Sequence, residues 1–233
     1  MKILILSHIL PPAGGAEKVA WDISNEYAKE HEVHLFVMGE TDSVKVLNSI
    51  NVYFFKSGEH NLKYYLSIGR LKIKKVAKKI NPDLIHAHAP TIFAFILRKY
   101  TCKKIITFHH SEKKRYNWTF IQRKKFEYFE NSCVKNFDVV TTVSKHMSKY
   151  FKDIYKNRVN IIPNGIDSNV FYNTETKRER NSIIYIGQLT IAKGVDKLLN
   201  LANLLPNYSF VFQLVNPFFF HSFPYTQYTI SQM

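Results

Sequence analysis

Cysteine, acid and long apolar runs are all scarce in this chain, and each shortage removes a class of protein. Only Cys102 and Cys133 occur in 233 residues, far apart and in no C-x-x-C pair. That argues against a disulfide framework or a zinc site and fits a reducing compartment. No apolar run approaches the roughly 20 residues that a membrane-spanning helix needs. The opening MKILILSHILPPAGG resembles a secretory leader, but its apolar run covers only residues 3–6 before Ser7 and His8. A buried parallel strand is the better reading, and a cytoplasmic protein is expected. Acids are the third shortage: 18 Asp and Glu against 33 Lys and Arg give a formal charge of +15.

The positive charge is unevenly placed. Residues 56–79 carry eight Lys and Arg against Glu59, and residues 98–125 carry ten against Glu112. Such a field favours phosphate-rich partners: nucleotides, anionic lipid head groups or nucleic acid. For either cluster a solvated lysine-rich surface is the alternative. No helix-turn-helix, zinc finger or RNP-like aromatic pattern supports nucleic acid, which is not expected as a partner.

What is present is alternation. Short β-branched runs at residues 2–6, 32–38, 51–55, 83–88, 103–110, 138–144 and 159–165 read as strands. After Gly14 and Gly15, the residues Ala16, Val19, Ala20, Ile23, Tyr27 and Ala28 fall at helical spacing. Leu62, Leu66, Ile73, Val76, Ala77 and Ile80 form one face of a second helix whose other face is lysine. Alternating β and α of this length predicts an α/β fold with a doubly wound parallel sheet, Rossmann-like. Ligands of such sheets sit at the carboxyl ends of the strands. Those ends carry the polar residues here: Ser7 and His8, His86 and His88, His109 and His110, and Ser144.

The expected organisation is a first domain over residues 1–170 and a polar linker over 171–182. Residues 183–215 then open a second Rossmann-like domain, with a strand, a helix over about 195–204 and a strand over 208–215. Residues 216–233 form a tail with six aromatics and no Asp, Glu, Lys or Arg.

Three loops carry candidate chemistry. LPPAGGAEKVA places Gly14 and Gly15 at a strand-to-helix junction, where free N–H groups and the helix dipole favour an anion; a tight turn explains it equally well. It is neither G-x-G-x-x-G nor a P-loop. YIGQLTIAKG repeats the device with Gly187, Lys193 and Gly194, and a lysine there meets a diphosphate as a point charge. A structural loop with a solvated lysine is its rival. IIPNGID, with Asn164, Gly165 and Asp167, reads as an interface loop. No carboxylate or cysteine stands at ligand spacing beside His109 and His110, so no metal is expected.

Taken in order, GGAEKVA, DLIHAHAP, IITFHHSE, VVTTVS, IIPNGIDSNVF and YIGQLTIAKGVDKLLNLA resemble the retaining glycosyltransferases of family 4, which have the GT-B fold. The resemblance covers residues 1–215. It implies two Rossmann-like domains, the first mainly holding the acceptor and the second a nucleotide-sugar. It implies that Gly14 and Gly15 lie near the donor phosphates and that His109 contacts the donor sugar as the catalytic-site histidine. Asn164 would bind the donor from the interface loop that it forms with Gly165 and Asp167, and Gly187 and Lys193 would hold the diphosphate. No cofactor or metal is implied, because N–H groups and cations neutralise the leaving UDP or GDP.

The partners implied are a nucleotide-sugar and a glycan or lipid-linked acceptor. Basic helices around residues 72–79 and 113–125 would allow peripheral contact with the inner face of a membrane. A solvated face reads the first of these equally well, whereas Tyr116, Trp118 and Phe120 lean the second toward contact.

Two departures matter. The family's Gly-Arg-Leu appears as Gly187-Gln188-Leu189, and a lost charge-assisted hydrogen bond costs about 1.5–3 kcal/mol. The family's E-x7-E motif should follow Val215, yet no glutamate follows Glu179. The expectation is a second domain cut short near Asn216 by truncation or a shifted frame, with weak or no transfer. The alternative is a non-catalytic remnant or subunit that binds a partner chain.

Overall fold

Burial along the first strand decides the layering. In β1 (Lys2–Leu6) the residues Ile3, Leu4, Ile5 and Leu6 are all buried, so both faces of this strand are covered. Leu4 and Leu6 join one apolar cluster and Ile3 and Ile5 another, as the two-residue period of a strand requires.

The computed structural model describes residues 1–11, 14–56, 68–110, 119–155, 159–172, 180–187, 189–215 and 225–230. The expected helix positions Leu62 and Leu66, the basic stretch 113–118, Gln188 and the linker residues 173–179 lie outside the described residues. The chain divides into two compact units, Met1–Gly165 and Ile166–Met233.

In the first unit β1 is followed by α1 (Gly15–Tyr27), β2 (Glu32–Gly39), β3 (Ser43–Leu47), β4 (Ile50–Lys56) and α2 (Ile68–Ile80). Then come β5 (Leu84–His88), α3 (Ile92–Leu97), β6 (Lys103–Phe108), α4 (Phe120–Asn136), β7 (Val139–Thr142), α5 (Lys145–Tyr155) and β8 (Val159–Ile161). The sheet order is β3-β4-β2-β1-β5-β6-β7-β8. All neighbours pair parallel except β3, which runs antiparallel to β4. The expected doubly wound α/β sheet is present, with one antiparallel strand added at its edge.

That edge strand is a departure from the sequence reading, and its cause is local. Leu47 faces Ile50 across a two-residue turn in which Asn48 and Ser49 have φ of 47° and 64°. Left-handed φ at both central residues is what a tight hairpin needs. Several expected ends also move. β6 stops at Phe108 and β8 at Ile161, which leaves His109, His110 and residues 162–165 beyond the strands.

The larger cluster places α2, α3, α4 and α5 residues against one sheet face, including Ile73, Ala77, Phe93, Cys133 and Phe151. The smaller cluster brings Ala20 of α1 to the other face, against Val33, Leu35 and Val52. α4 begins with a full capping box, Thr119 and Gln122 each bonding the other's backbone.

The second unit contains β9 (Ser182–Gly187), a 3-10 turn (Ile191–Lys193), α6 (Val195–Leu204), β10 (Ser209–Val215) and β11 (Tyr225–Ile230). β9 and β10 pair parallel, and β11 pairs antiparallel with β10. Part of the aromatic tail is therefore a strand, as the β-branched and aromatic sequence YTQYTI favours. Gly194, at φ 78°, caps the 3-10 turn and opens α6, a conformation that suits glycine. Among the described residues no helix is long and apolar enough to cross a membrane.

Phe36 is fully buried and meets the rings of Tyr53, Phe55 and Phe93 at 5.4, 4.9 and 6.0 Å. Phe36→Ala is expected to cost about 3–5 kcal/mol, read as a lowered urea midpoint of the full chain. A loss below about 1 kcal/mol would mean these rings do not carry the core.

Candidate functional site

The site grows from one feature of the topology. After β1 the chain winds outward through β2 and β4, then α2 returns it so that β5 pairs with the other side of β1. Crossovers on the two sides diverge there, and in open sheets of this kind such a switch point, at the carboxyl ends of β1 and β5, is where ligands bind. Strands lie about 4.8 Å apart, so the ends of β1, β5 and β6 fall within about 10 Å.

Parity then brings the histidines together. His86 and His88 share one face of β5, and the register sets His88 beside Thr107 and Thr107 beside Thr141. His109, two residues past Thr107, follows the end of that strand. His86 Nε2 lies 2.8 Å from Thr107 Oγ1, which lies 2.7 Å from Thr141 Oγ1. His88 Nδ1 and His109 Nε2 share a hydrogen bond of 3.1 Å. The rings of His86 and His88 are 4.4 Å apart, and those of His88 and His109 stack at 5.4 Å. Tyr27, near the end of α1, meets His86 at 6.5 Å.

Burial sets the charge state of this cluster. His86 is pushed down to about 4, first by burial and then by the charge of His109. His109 is also pushed to about 4, by burial and then by His110. His88 is held well below the ordinary imidazole value by burial, then by His86 and His109. All three rings are neutral at pH 7, so the cluster offers hydrogen bonds and no charge. Among the described residues no group of three His, Cys, Asp or Glu could hold a metal ion. Burial drives the Cys133 thiol up to about 12 and raises Cys102 as well, which leaves both poor nucleophiles.

The expected site residues fall into two groups. Gly14 and Gly15 stand at the start of α1, behind β1, on the same sheet edge as His109. Gly14 is the N-cap with extended backbone, and among the described residues no side chain caps the helix. A Cβ at position 15 would meet none of the described residues within 4 Å, whereas one at 14 would stand 2.5 Å from a Glu17 carboxylate oxygen. Asn164 and Gly165 are exposed and follow β8 from that edge. Gly187 and Lys193 belong to the second unit, where Gly187 ends β9 and exposed Lys193 ends the 3-10 turn. Asp167, also in that unit, accepts hydrogen bonds from the backbone of Asn169, Val170 and Phe171 in an exposed turn. Sequence reading missed Thr107 and Thr141. Their signal was the alternation shared with His109, but only strand register shows that they touch.

The family described as Glycosyltransferase Family 4 matches residues 13–170. An uncharacterised glycosyltransferase of Methanocaldococcus jannaschii is 25% identical over 210 residues, covering 86% of this chain and 56% of its relative. The chain thus spans little more than half the length of that curated relative.

Among solved structures, Anabaena HepE in complex with UDP and glucose aligns with a TM-score of 0.60 at 15% identity. That alignment covers 88% of this chain and 66% of HepE. A glycosyltransferase from Rickettsia africae aligns at 0.59 and 18% identity, covering 92% and 60%. A UDP-N-acetylglucosamine 2-epimerase of Listeria monocytogenes, described there as putative, aligns at 0.58 and 12% identity, covering 94% and 63%. These likenesses establish the α/β Rossmann-like fold.

Because His86 titrates near 6.5 when unfolded and about 4 when folded, the unfolded chain binds its proton first on acidification. Stability is therefore full above pH 6.5 and falls as pH drops toward about 4, by on the order of 3 kcal/mol for His86. Urea unfolding between pH 7.5 and 4.5 should show this slope, reduced in His86→Asn. Equal slopes in the two proteins would contradict the buried neutral ring.

Proposed function

Since the chain belongs to glycosyltransferase family 4, we propose that it is part of a retaining transferase acting on nucleotide-sugars. The reaction moves a hexose from a UDP- or GDP-sugar to a glycan or lipid-linked acceptor. Residues 1–170 serve as the acceptor-side domain, and residues 183–215 belong to the donor side.

The observation that carries this reading is the gathering of three features at one sheet edge. These are the uncapped glycine start of α1, the neutral His109, and the carboxyl ends of β1, β5 and β6. Free N–H groups and a helix dipole stabilise phosphate oxygens without a metal. Gly15 leaves the backbone open to close approach. His109 contributes a hydrogen bond to the sugar. In the second unit, Lys193 and Gly187 are the candidates for contact with a diphosphate. Retention is served by attack on the face that the diphosphate leaves, with its oxygen taking the acceptor proton. HepE, of like fold, was solved with UDP and glucose.

An epimerase shares the fold, but the family match favours transfer. A non-catalytic subunit that binds a partner chain remains the alternative function. Complex formation with an intact homologue, together with absent sugar binding, favours it.

The test is calorimetric titration of the full chain with UDP- and GDP-sugars. Gly15→Ala has open space for its methyl, so its melting temperature should stay unchanged while nucleotide-sugar binding falls about tenfold, as for about 1.4 kcal/mol. No binding by the parent chain, or equal binding by the variant, counts against the reading.

The acceptor side extends the proposal to a membrane surface. On α4, Phe120, Ile121 and Tyr128 are exposed beside exposed Arg123, Lys124 and Lys125. Apolar side chains beside cations suit an anionic bilayer, where each cation contributes about 1 kcal/mol. Co-sedimentation with phosphatidylserine vesicles is expected, weakened by salt and by Phe120→Ser with Ile121→Ser. Binding that is indifferent to both would remove this contact.

A further inference from the structure

Two ring nitrogens in the histidine cluster are buried and have no hydrogen-bond partner among the described residues: His86 Nδ1 and His88 Nε2. Together with the bonds around them, these orphans fix where the hydrogens sit. The Thr141 hydroxyl donates to the Ile106 carbonyl at 3.4 Å. Its oxygen is then free to accept from Thr107, whose oxygen in turn accepts from His86. His86 therefore carries its hydrogen on Nε2, and its orphan Nδ1 is a bare lone pair.

The same logic applies to His88. A hydrogen on Nε2 would leave a buried N–H unmet, the rarest defect in protein interiors, whereas a lone pair there is better tolerated. The hydrogen belongs on Nδ1, which donates to His109 Nε2. His109 Nε2 is thus occupied as an acceptor, and its hydrogen must sit on Nδ1. No hydrogen bond to His109 Nδ1 occurs among the described residues.

We propose that His88 is a positioning residue that locks His109 in its Nδ1–H tautomer, so that His109 meets its ligand as a hydrogen-bond donor and not as a base. The ligand group this suits is an oxygen acceptor, such as a sugar hydroxyl. That choice of ligand rests on the transferase reading; the lock itself does not. Burial keeps both rings neutral, so the donor is an uncharged imidazole. The stacked rings hold its plane. One side of His109 is spent on His88 and the other is left for the ligand.

The experiment is long-range proton–nitrogen NMR of the nitrogen-15-labelled full chain at pH 7, which reports the hydrogen-bearing nitrogen of each histidine. His109 and His88 are expected with hydrogen on Nδ1, and His86 with hydrogen on Nε2. In His88→Leu, His109 should become a mixture of both tautomers. In His88→Asn the side-chain amide can replace the lost donor, and the Nδ1–H form should return. A His109 hydrogen on Nε2 in the parent chain overturns the proposal, as does a tautomer unchanged by His88→Leu. If the variants do not fold, the parent spectrum decides alone. A parent chain with these tautomers that binds no UDP- or GDP-sugar confirms the lock and sinks the transfer reading.

Discussion

The parallel pairing of β1 with β5 is the contact on which the rest depends. It sets Ile3–Leu6 against Leu84–Ala87 on the side of β1 that β2 leaves free. Both strands are buried on two faces, so polar side chains find room only near their carboxyl ends. Once β5 is placed, β6, β7 and β8 add outward in sequence, each parallel to the last. Ser7, His88, His109 and the chain after β8 therefore leave from one edge. A change in the return of α2, which seats Ile73, Ala77 and Ile80 in the core, would scatter them.

Two histidines in a central strand carry a desolvation cost, and the structure offsets it in two ways. The threonine ladder accepts the His86 hydrogen, while the stack of His86, His88 and His109 supplies ring contact and one further hydrogen bond. Neutrality is the condition for both. A proton added to any of these rings would place charge among its neighbours with no acid among their partners in the described residues, so that, after burial itself, each ring lowers the proton affinity of the next. The cluster is thereby an uncharged floor of adjoining rings at the strand ends.

Much of this was legible in the residues. The parallel strands stand out because continuous β-branched runs alternate with helical spacing, and the polar strand ends already marked the edge. The β3 hairpin was hidden because Asn48-Ser49 lacks the glycine that usually announces such a turn. α3 was hidden because six residues, IFAFIL, are too few to show a helical period. The site was half legible: parity placed His86 with His88 and Thr107 with His109. Their mutual contact depends on register between strands distant in sequence, which no local pattern encodes. Lys193 and Gly187 were readable as a loop after β9, and the second unit shows them there by itself.

The combination of a basic chain with neutral histidines has a chemical consequence. A diphosphate needs positive potential that does not vary over the working pH range. Histidine at its ordinary pKa would supply a charge that changes across neutrality. Here burial removes that variable from the three rings, and on the proposed reading the potential would come from backbone N–H dipoles at Gly14 and Gly15 and from lysine side chains. Sugar recognition, by contrast, needs direction more than charge, because hydroxyl groups are neutral and arranged in fixed patterns. A buried, stacked imidazole with one nitrogen already engaged supplies direction. On the proposed reading, the same burial that costs the fold stability in acid separates the two tasks, leaving charge to the glycine turn and geometry to His109.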